Sequence, residues 1–341
     1  MPAYVAPWWL PGGHAQTLYA ALFAPHPRTT YRRERWATPD DDFVDVDWIQ
    51  EPSAVSGERS AVMGGEYAIA AAAADRDRPL VALFHGLEGC SRSHYAHALM
   101  SEVAKIGWRG AVVHFRGCSG AANRLPRAYH SGDSAELDWM LRRLKAQHGG
   151  PLFAAGVSLG GNVLLKWLGE RGSAAEAIVS RAAAVSAPVD LAAAGDALGR
   201  GFNLVYTRAF LRSLRRKSLA KLEHYPDLYD AARVRRARTL RAFDDVVTAP
   251  LHGFRDTDDY WTRASSRPWL TKITVPTLLL NARNDPFFPR RALPAAREVS
   301  PCVTCEFPEH GGHAAFVSGR FPGNLSWLSR RLLHFFGHHD C

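Results

Sequence analysis

The sequence has little of what several large classes of protein require. Its five cysteines are few and odd in number for 341 residues, which argues against a disulfide framework. No apolar run approaches the ~20 residues needed to span a bilayer. No HExxH or similar metal motif occurs, and we expect neither a metal nor another cofactor. What is present is an ordinary globular composition, 47% hydrophobic and 22% charged, with ample apolar material for a core.

Two further absences concern location and zinc. The first residues, MPAYVAPWWLPGGHAQT, lack a basic segment followed by a long apolar stretch. They are a poor signal peptide, and we expect a cytoplasmic protein. The CxxC of Cys302 and Cys305 has no second pair to complete a tetrahedral zinc site. Because strand positions three apart point to opposite faces, we expect these thiols to be ordinary strand residues.

Short apolar runs alternate with segments of helical length along most of the chain. The runs predicted to be buried strands are 79–84, 110–115, 151–157, 182–187, 274–282 and 301–307. The helical segments between them include Ser91–Gly107, Ser134–His148 and Gly161–Glu170. This alternation predicts an α/β fold with a mostly parallel sheet covered by helices on both faces. Residues 35–49 alternate apolar and polar around an Asp turn, which predicts an antiparallel hairpin at one sheet edge.

The alternation breaks between residues 191 and 272. Some eighty residues separate two predicted strands there, far more than a crossover helix needs. We expect residues 191–272 to be a helical lid inserted over the carboxyl edge of the sheet, where open α/β folds bind ligands. No clear linker isolates this segment, so residues 1–341 are predicted to form a single domain.

The strongest local signal is Gly156-Val157-Ser158-Leu159-Gly160, which follows an apolar strand and opens an apolar helix. This is the strand–turn–helix context of a nucleophile elbow. The serine of such a turn has a strained backbone, and side chains two residues away on either side would collide with the neighbouring strand and helix. Ser158 is therefore the candidate nucleophile.

A serine nucleophile requires a base and an acid that orients the base. In this fold the chain order is Ser, acid, His. Asp285 follows the 274–282 strand and His313 follows the last strand, so both are predicted to lie at the carboxyl edge near Ser158. Asp190 is an alternative acid, and spacing alone does not separate His310 from His313.

The same mechanism requires two donors for a developing oxyanion. One is expected to be the backbone N–H of Leu159. The other is expected to come from the loop His85-Gly86-Leu87-Glu88-Gly89 after the 79–84 strand, through the N–H of Leu87. We expect His85 itself to shape this loop rather than to act as a base.

With these residues placed, the chain resembles the YheT-like group of α/β-hydrolases, a group of esterases related to eukaryotic lipases and alcohol acyltransferases. The blocks that carry the resemblance are GGHAQT (12–17), HGLEGCSRSHY (85–95), GWRGAVVHFRGCSG (107–120), NRLPRAYHSGD (123–133), GVSLGGNVLLKWLGE (156–170), FDDVVTAPLHGF (243–254), LLLNARNDPFFP (278–289) and PEHGGHAAF (308–316). The resemblance implies the α/β-hydrolase fold and a triad of Ser158, Asp285 and His313. Cys90 stands where a small serine is expected, a departure that should not abolish activity.

Four residues in these blocks have no obvious catalytic role: His14, Arg116, His130 and Asp133. They either line the pocket or satisfy buried polar groups within shaped loops, and we favour the second interpretation.

The net charge of +9 is concentrated in the predicted lid. Between Arg208 and Arg241 eleven Lys or Arg face three acids. The residues Arg208, Arg212, Arg215 and Arg216 share one predicted helical face, and Phe210, Leu211, Leu214 and Leu222 gather on another. A basic amphipathic helix predicts either a solvated lid face, which we favour, or contact with an anionic membrane. No motif accompanies the charge, so no nucleic-acid partner is expected.

Together these patterns predict a serine hydrolase that cleaves acyl esters, either small molecules or lipids, through an acyl-enzyme. An alcohol acyltransferase with the same triad is the first alternative. A non-catalytic binding module of the same fold is the second.

Overall fold

The structure is a computed structural model that describes residues 1–50 and 77–338. Over these residues one eight-stranded sheet has the order β1-β2-β4-β3-β5-β6-β7-β8. The strands are β1 (Tyr31–Ala37), β2 (Phe43–Ile49), β3 (Leu80–Phe84), β4 (Arg109–Val113), β5 (Leu152–Val157), β6 (Arg181–Val185), β7 (Thr277–Leu280) and β8 (Val303–Glu306). Strands β3 to β8 run parallel to one another, whereas β1 and β2 form an antiparallel hairpin at one edge. The predicted fold class and the edge hairpin are confirmed.

Helices connect the strands and cover the sheet. They are α1 (Gly13–Leu22), α2 (His94–Lys105), α3 (Ser134–Gln147), α4 (Leu159–Arg171), α5 (Leu191–Leu198), α6 (Leu204–Lys221), α7 (Ala231–Arg236), α8 (Leu240–Phe243), α9 (Ala249–Leu251), α10 (Thr257–Ala264) and α11 (Ser326–Gly337). A π-helical turn, Asp244–Thr248, joins α8 to α9.

The sheet is buried on both faces, as continuous apolar strands require. Alternate residues of β3 enter two different hydrophobic clusters: Leu80, Ala82 and Phe84 join one, and Val81 and Leu83 join the other. Helix α4 packs in the first cluster, and α2 and α11 pack in the second. The carboxyl ends of β3, β5, β7 and β8 therefore meet at one fixed edge.

Each predicted strand segment overlaps an observed strand, but the bounds differ: β4 and β6 begin one residue before the predicted segments, at Arg109 and Arg181, and end two residues before them. The 274–282 run yields a four-residue strand, Thr277–Leu280, because Pro276 precedes it and Asn281 begins the turn toward Asp285. Cys305 lies within β8 and Cys302 just before it, and both thiols are free.

Residues between β6 and β7 form helices α5 to α10. Part of this segment has a hydrophobic cluster of its own, formed by the buried residues Leu211, Val234, Ala237, Phe243, Val246 and Val247. Since no sheet residue enters that cluster, this part of the segment packs largely on itself.

A buried carboxylate connects the edge hairpin to the rest of the sheet. Asp47 on β2 accepts two hydrogen bonds from Arg33, at 2.7 and 2.8 Å, and one from Ser91 at 2.5 Å. His114, at the end of β4, lies 2.9 Å from the same carboxylate. Burial by itself raises the pKa of Asp47, but the hydrogen bonds from Arg33, His114 and Ser91 outweigh it and hold the pKa well below its usual range.

Asp47→Asn should destabilise the protein in a pH-dependent way. We expect the free energy of unfolding to fall by about 2–3 kcal/mol at pH 7, less than for a fully buried pair because Arg33 is half exposed. The pKa is lower in the folded protein than in the unfolded chain (~3.9), so the contribution is present above about pH 4 and is lost as pH falls further. Urea denaturation at several pH values measures this. The difference in unfolding free energy between Asp47→Asn and wild type should become smaller at acid pH. Asp41→Asn, at an exposed position, serves as the control.

Candidate active site

Ser158 lies at the sharp turn between β5 and α4. Its backbone has φ +54° and ψ −118°, a region that non-glycine residues rarely occupy. Its N–H donates to the carbonyl of Val185 on the neighbouring strand at 2.8 Å. The hydroxyl does not cap the helix, although Ser158 is the N-cap residue. The serine oxygen is therefore not engaged in helix capping.

The two flanking glycines are required by close backbone contacts. A Cβ at Gly156 would lie 2.5 Å from the carbonyl oxygen of Gly160. A Cβ at Gly160 would lie 2.3 Å from the carbonyl oxygen of Phe84, at the end of β3. The first turn of α4 thus rests directly on the strand that leads into the Leu87 loop.

Asp285 and His313 meet across the ends of β7 and β8. The Asp285 Oδ2 atom lies 2.8 Å from Nδ1 of His313, and Asp285 Oδ1 accepts the N–H of Phe287 at 2.8 Å. The Asp285 side chain is 1% exposed and that of His313 is 12% exposed. The Phe287 ring lies 4.1 Å from the imidazole between centroids. Asp285 can therefore fix both the tautomer and the orientation of His313.

The two alternative residues lie elsewhere. His310 is exposed, and its Nδ1 lies 3.4 Å from the amide nitrogen of Asn284. Asp190 is the N-cap of α5 and accepts the N–H of Ala193 at 3.0 Å. Neither is among the residues that line the cavity containing Ser158 and His313.

The His313 loop is supported by α1, a contact the sequence did not suggest. The Thr17 hydroxyl accepts the N–H of His313 at 2.9 Å, and the Gln16 side chain accepts the N–H of Gly311 at 2.9 Å. Asn284 accepts the N–H of Gly312 at 3.0 Å and donates to Gln16 at 3.0 Å. The GGHAQT block contains both α1 residues, but nothing in its spacing indicated a partner some 296 positions away.

Residues 86–89, in the loop between β3 and α2, form a tight turn. The N–H of Gly89 donates to Gly86 at 2.9 Å, that of Gly86 donates to the Tyr95 hydroxyl at 2.9 Å, and that of Glu88 donates to the Tyr129 hydroxyl at 2.8 Å. Among the residues that the structure describes, the N–H of Leu87 has no protein acceptor. Leu159 is the first residue of α4, where backbone N–H groups lack intrahelical acceptors. Both N–H groups are therefore candidates for binding an oxyanion.

His85 connects this turn to the residues just beyond the end of β4 through hydrogen bonds. It is fully buried, its Nε2 accepts the N–H of Phe115 at 3.1 Å, and its Nδ1 lies 2.8 Å from the carbonyl of Gly86. Because Nε2 accepts, we assign the proton to Nδ1. Burial and the nearby His114 lower the pKa of His85 to about 3, so it remains neutral. These contacts suit a loop-shaping residue.

The four residues without a predicted catalytic role have structural partners. Arg116 is buried among Asp40, Asp42 and Glu136. Asp133 caps α3 and binds Arg127 at 2.8 Å.

The other two belong to aromatic contacts. His14 stacks on Tyr206 with ring centroids 5.8 Å apart, and His130 lies 4.4 Å from the ring of His252.

A cavity of about 1100 Å³ opens at the carboxyl edge of the sheet. Ser158, His313, Leu87 and Leu159 all line it. Much of the remaining wall comes from the helices between β6 and β7, including Ala194, Leu198, Phe210, Leu214, Phe243, Val247 and Trp261. The four candidate site residues thus share one largely apolar cavity, whereas Asp285 does not line it and reaches it only through His313.

Comparison with known proteins agrees with this architecture. A profile of the family described as alpha/beta hydrolase fold matches residues 79–319. The chain belongs to that family, and within it to the YheT-like group. It is 37% identical over 322 residues to "Putative esterase YheT" of Escherichia coli (strain K12), which covers 94% of this chain and 88% of that protein.

Other relatives carry the names of lipid-cleaving hydrolases. The chain is 29% identical to mouse "Phospholipase ABHD3" over 94% of this chain and 75% of the relative. It is 28% identical to "Monoacylglycerol lipase" of Saccharomyces cerevisiae over 76% of this chain and 59% of the relative. Among solved structures, Pyrococcus furiosus esterase Pf2001 superimposes with a TM-score of 0.54 at 14% identity, covering 93% of this chain and 97% of that one. That likeness shows the fold.

None of the helices in the described ranges, 1–50 and 77–338, has both the length and the apolar character needed to cross a bilayer.

Gly160→Ala should disrupt the turn that carries Ser158. The added methyl group would lie 2.3 Å from a backbone oxygen that cannot move without displacing β3, so we expect a loss of about 1–3 kcal/mol or more in unfolding free energy. Gly199→Ala is the matched control, because its nearest neighbour would lie at 3.4 Å, an ordinary contact. Thermal denaturation measures both. Equal melting temperatures would contradict the proposed crowding.

Proposed function

We propose that this protein is a serine esterase that cleaves acyl esters of lipid type through Ser158, His313 and Asp285. The observation that carries the proposal is the 2.8 Å contact between Asp285 and His313 in a cavity also lined by Ser158. The hydrolase family of the chain and the ester- and lipid-cleaving relatives support the same class of reaction.

The proposed reaction begins with proton transfer. With Nδ1 of His313 donating to Asp285, Nε2 is unprotonated and accepts the Ser158 proton as the oxygen attacks the acyl carbonyl. The oxyanion is bound by the N–H groups of Leu87 and Leu159. His313 returns its proton to the leaving alcohol, and water then cleaves the acyl-enzyme. An alcohol in place of water would give acyl transfer, which ester formation in added ethanol would reveal.

The segment 191–272 is proposed to act as the lid of a single domain. Its helices α5, α6, α8 and α10 supply apolar side chains to the cavity that holds Ser158. Such a wall excludes water from the acyl-binding space and contributes most of the apolar contact surface for substrate.

Contact between the lid and an anionic membrane stays a prediction. Arg208, Arg212 and Arg216 are exposed on α6, whereas Arg215 donates to the carbonyl groups of Leu211 and Arg235. Co-sedimentation with anionic and neutral vesicles at low salt tests it, and equal binding to both would contradict it.

Ser158→Ala should lower ester turnover by several orders of magnitude without changing the melting temperature. A fluorophosphonate probe should label wild type and not the variant. Asp285→Asn should cost about 10⁴-fold in kcat, because the amide favours the wrong imidazole tautomer. His310→Ala and Asp190→Asn are controls that should retain activity. Near-normal turnover by Ser158→Ala would refute the assignment.

The cavity volume predicts a preference for longer acyl chains. At about 1100 Å³ it is slightly larger than the ~300–1000 Å³ usual for ligand pockets. Each buried CH₂ group contributes ~0.8 kcal/mol, so kcat/KM should rise by at most about fourfold per CH₂ until the cavity is filled. A series of p-nitrophenyl esters from acetate to decanoate measures this. A maximum at acetate would contradict the prediction.

A further inference from the structure

The turn that contains Leu87 has an unusual residue at its third position. Glu88 has φ +57°, in the left-handed region where turns normally carry glycine. A non-glycine residue there is strained and persists only where surrounding contacts hold it. The conformation of Glu88 matters because it directly follows Leu87, the proposed oxyanion donor.

The contacts that hold Glu88 come from two parts of the fold. Its side chain is only 8% exposed. Tyr129, in the loop before α3, donates to Oε1 at 2.9 Å and accepts the Glu88 N–H at 2.8 Å. From α6, Lys217 lies 2.8 Å from Oε2, and the Ser213 hydroxyl donates to the same oxygen.

Ser213 and Lys217 are one helical turn apart, so a single face of α6 binds the Glu88 carboxylate. A buried carboxylate that loses its cation is costly, because the remaining charge must regain solvent or move. Either response would shift the Glu88 backbone and with it the Leu87 N–H.

Within the segment 191–272, helix α6 is the element best placed to couple the lid to the Leu87 turn. Its residue Leu211 packs in the hydrophobic cluster that contains no sheet residue. Near its carboxyl end it is held to the 117–129 loop by polar contacts, from Lys221 to the carbonyl of Leu125 and from Tyr225, just beyond the helix, to that of Arg124. The contacts of Ser213 and Lys217 with Glu88 therefore connect the segment 191–272 to the Leu87 turn.

We propose that Glu88, Ser213 and Lys217 are positioning residues that couple helix α6 to the oxyanion-binding turn, so that the Leu87 N–H is correctly placed only while α6 occupies its present position. This inference rests on the proposed esterase function. It assigns the lid a role in assembling the catalytic machinery, besides enclosing the substrate.

Lys217→Met should lower kcat for p-nitrophenyl butyrate by about 10²-fold, the loss typical of one oxyanion donor, and change KM by less than about twofold. Affinity for an alkyl boronic acid should fall by the same factor, because the anionic adduct on Ser158 uses the same two N–H groups. Lys217→Arg should keep most of the activity. Lys105→Met is the matched control, since Lys105 on α2 makes only an exposed ion pair with Glu102.

A double variant separates positioning from general loss of structure. If the defect of Lys217→Met arises from an unpaired buried carboxylate, adding Glu88→Gln should restore part of kcat and of boronic acid affinity. Ser213→Ala, a smaller change, should give a smaller loss of the same kind if Lys217→Met proves too unstable to purify.

The proposal is overturned if Lys217→Met matches Lys105→Met in kcat, or if its loss appears in KM alone, which would assign Lys217 to substrate binding. Independent losses in the double variant would also overturn it. Wild-type protein that cleaves no ester and is not labelled at Ser158 would instead contradict the proposed function, so the two failures are distinguishable.

Discussion

The close approach of α4 to the end of β3 is the constraint on which the candidate site depends. Gly160 can lie against the carbonyl of Phe84 because it has no side chain, since a Cβ there would lie 2.3 Å from that oxygen, and the chain reverses sharply two residues earlier, at Ser158. The positive φ of Ser158 is the backbone cost of that reversal. Since Phe84 also leads into the Leu87 turn, one contact positions the candidate nucleophile and the two proposed oxyanion donors relative to each other.

The remaining site residues depend on the parallel sheet. Asp285 and His313 leave the ends of adjacent strands, so the register of β7 and β8 brings them together. Their loops are then held by side chains from outside the sheet, chiefly Thr17 and Gln16. A rigid sheet gives the approximate positions, and peripheral hydrogen bonds give the final orientation.

The sheet and the candidate triad were accessible from sequence for a physical reason. Strands buried on both faces are continuously apolar, and the elbow around Ser158 requires glycine at fixed positions, so both leave local signals. The bonds from the His313 N–H to Thr17 and from Lys217 to Glu88 left none, because neither belongs to a local motif and each joins residues more than a hundred positions apart. In the sequence, Lys217 is one of the eleven basic residues between Arg208 and Arg241. In the structure, its ammonium group binds the buried carboxylate of Glu88. Amphipathic periodicity describes which face is polar, but not which partner a polar side chain finds.

Because α1 supports the His313 loop, a fragment that preserves the candidate site must include α1. The region matched by the family profile starts at residue 79, yet the hydroxyl that accepts the backbone N–H of His313 belongs to residue 17. A fragment trimmed to the profile would keep every proposed catalytic side chain while leaving the peptide groups of Gly311 and His313 without their acceptors. The region of shared sequence therefore begins more than sixty residues after Thr17, whose side chain supports the His313 loop.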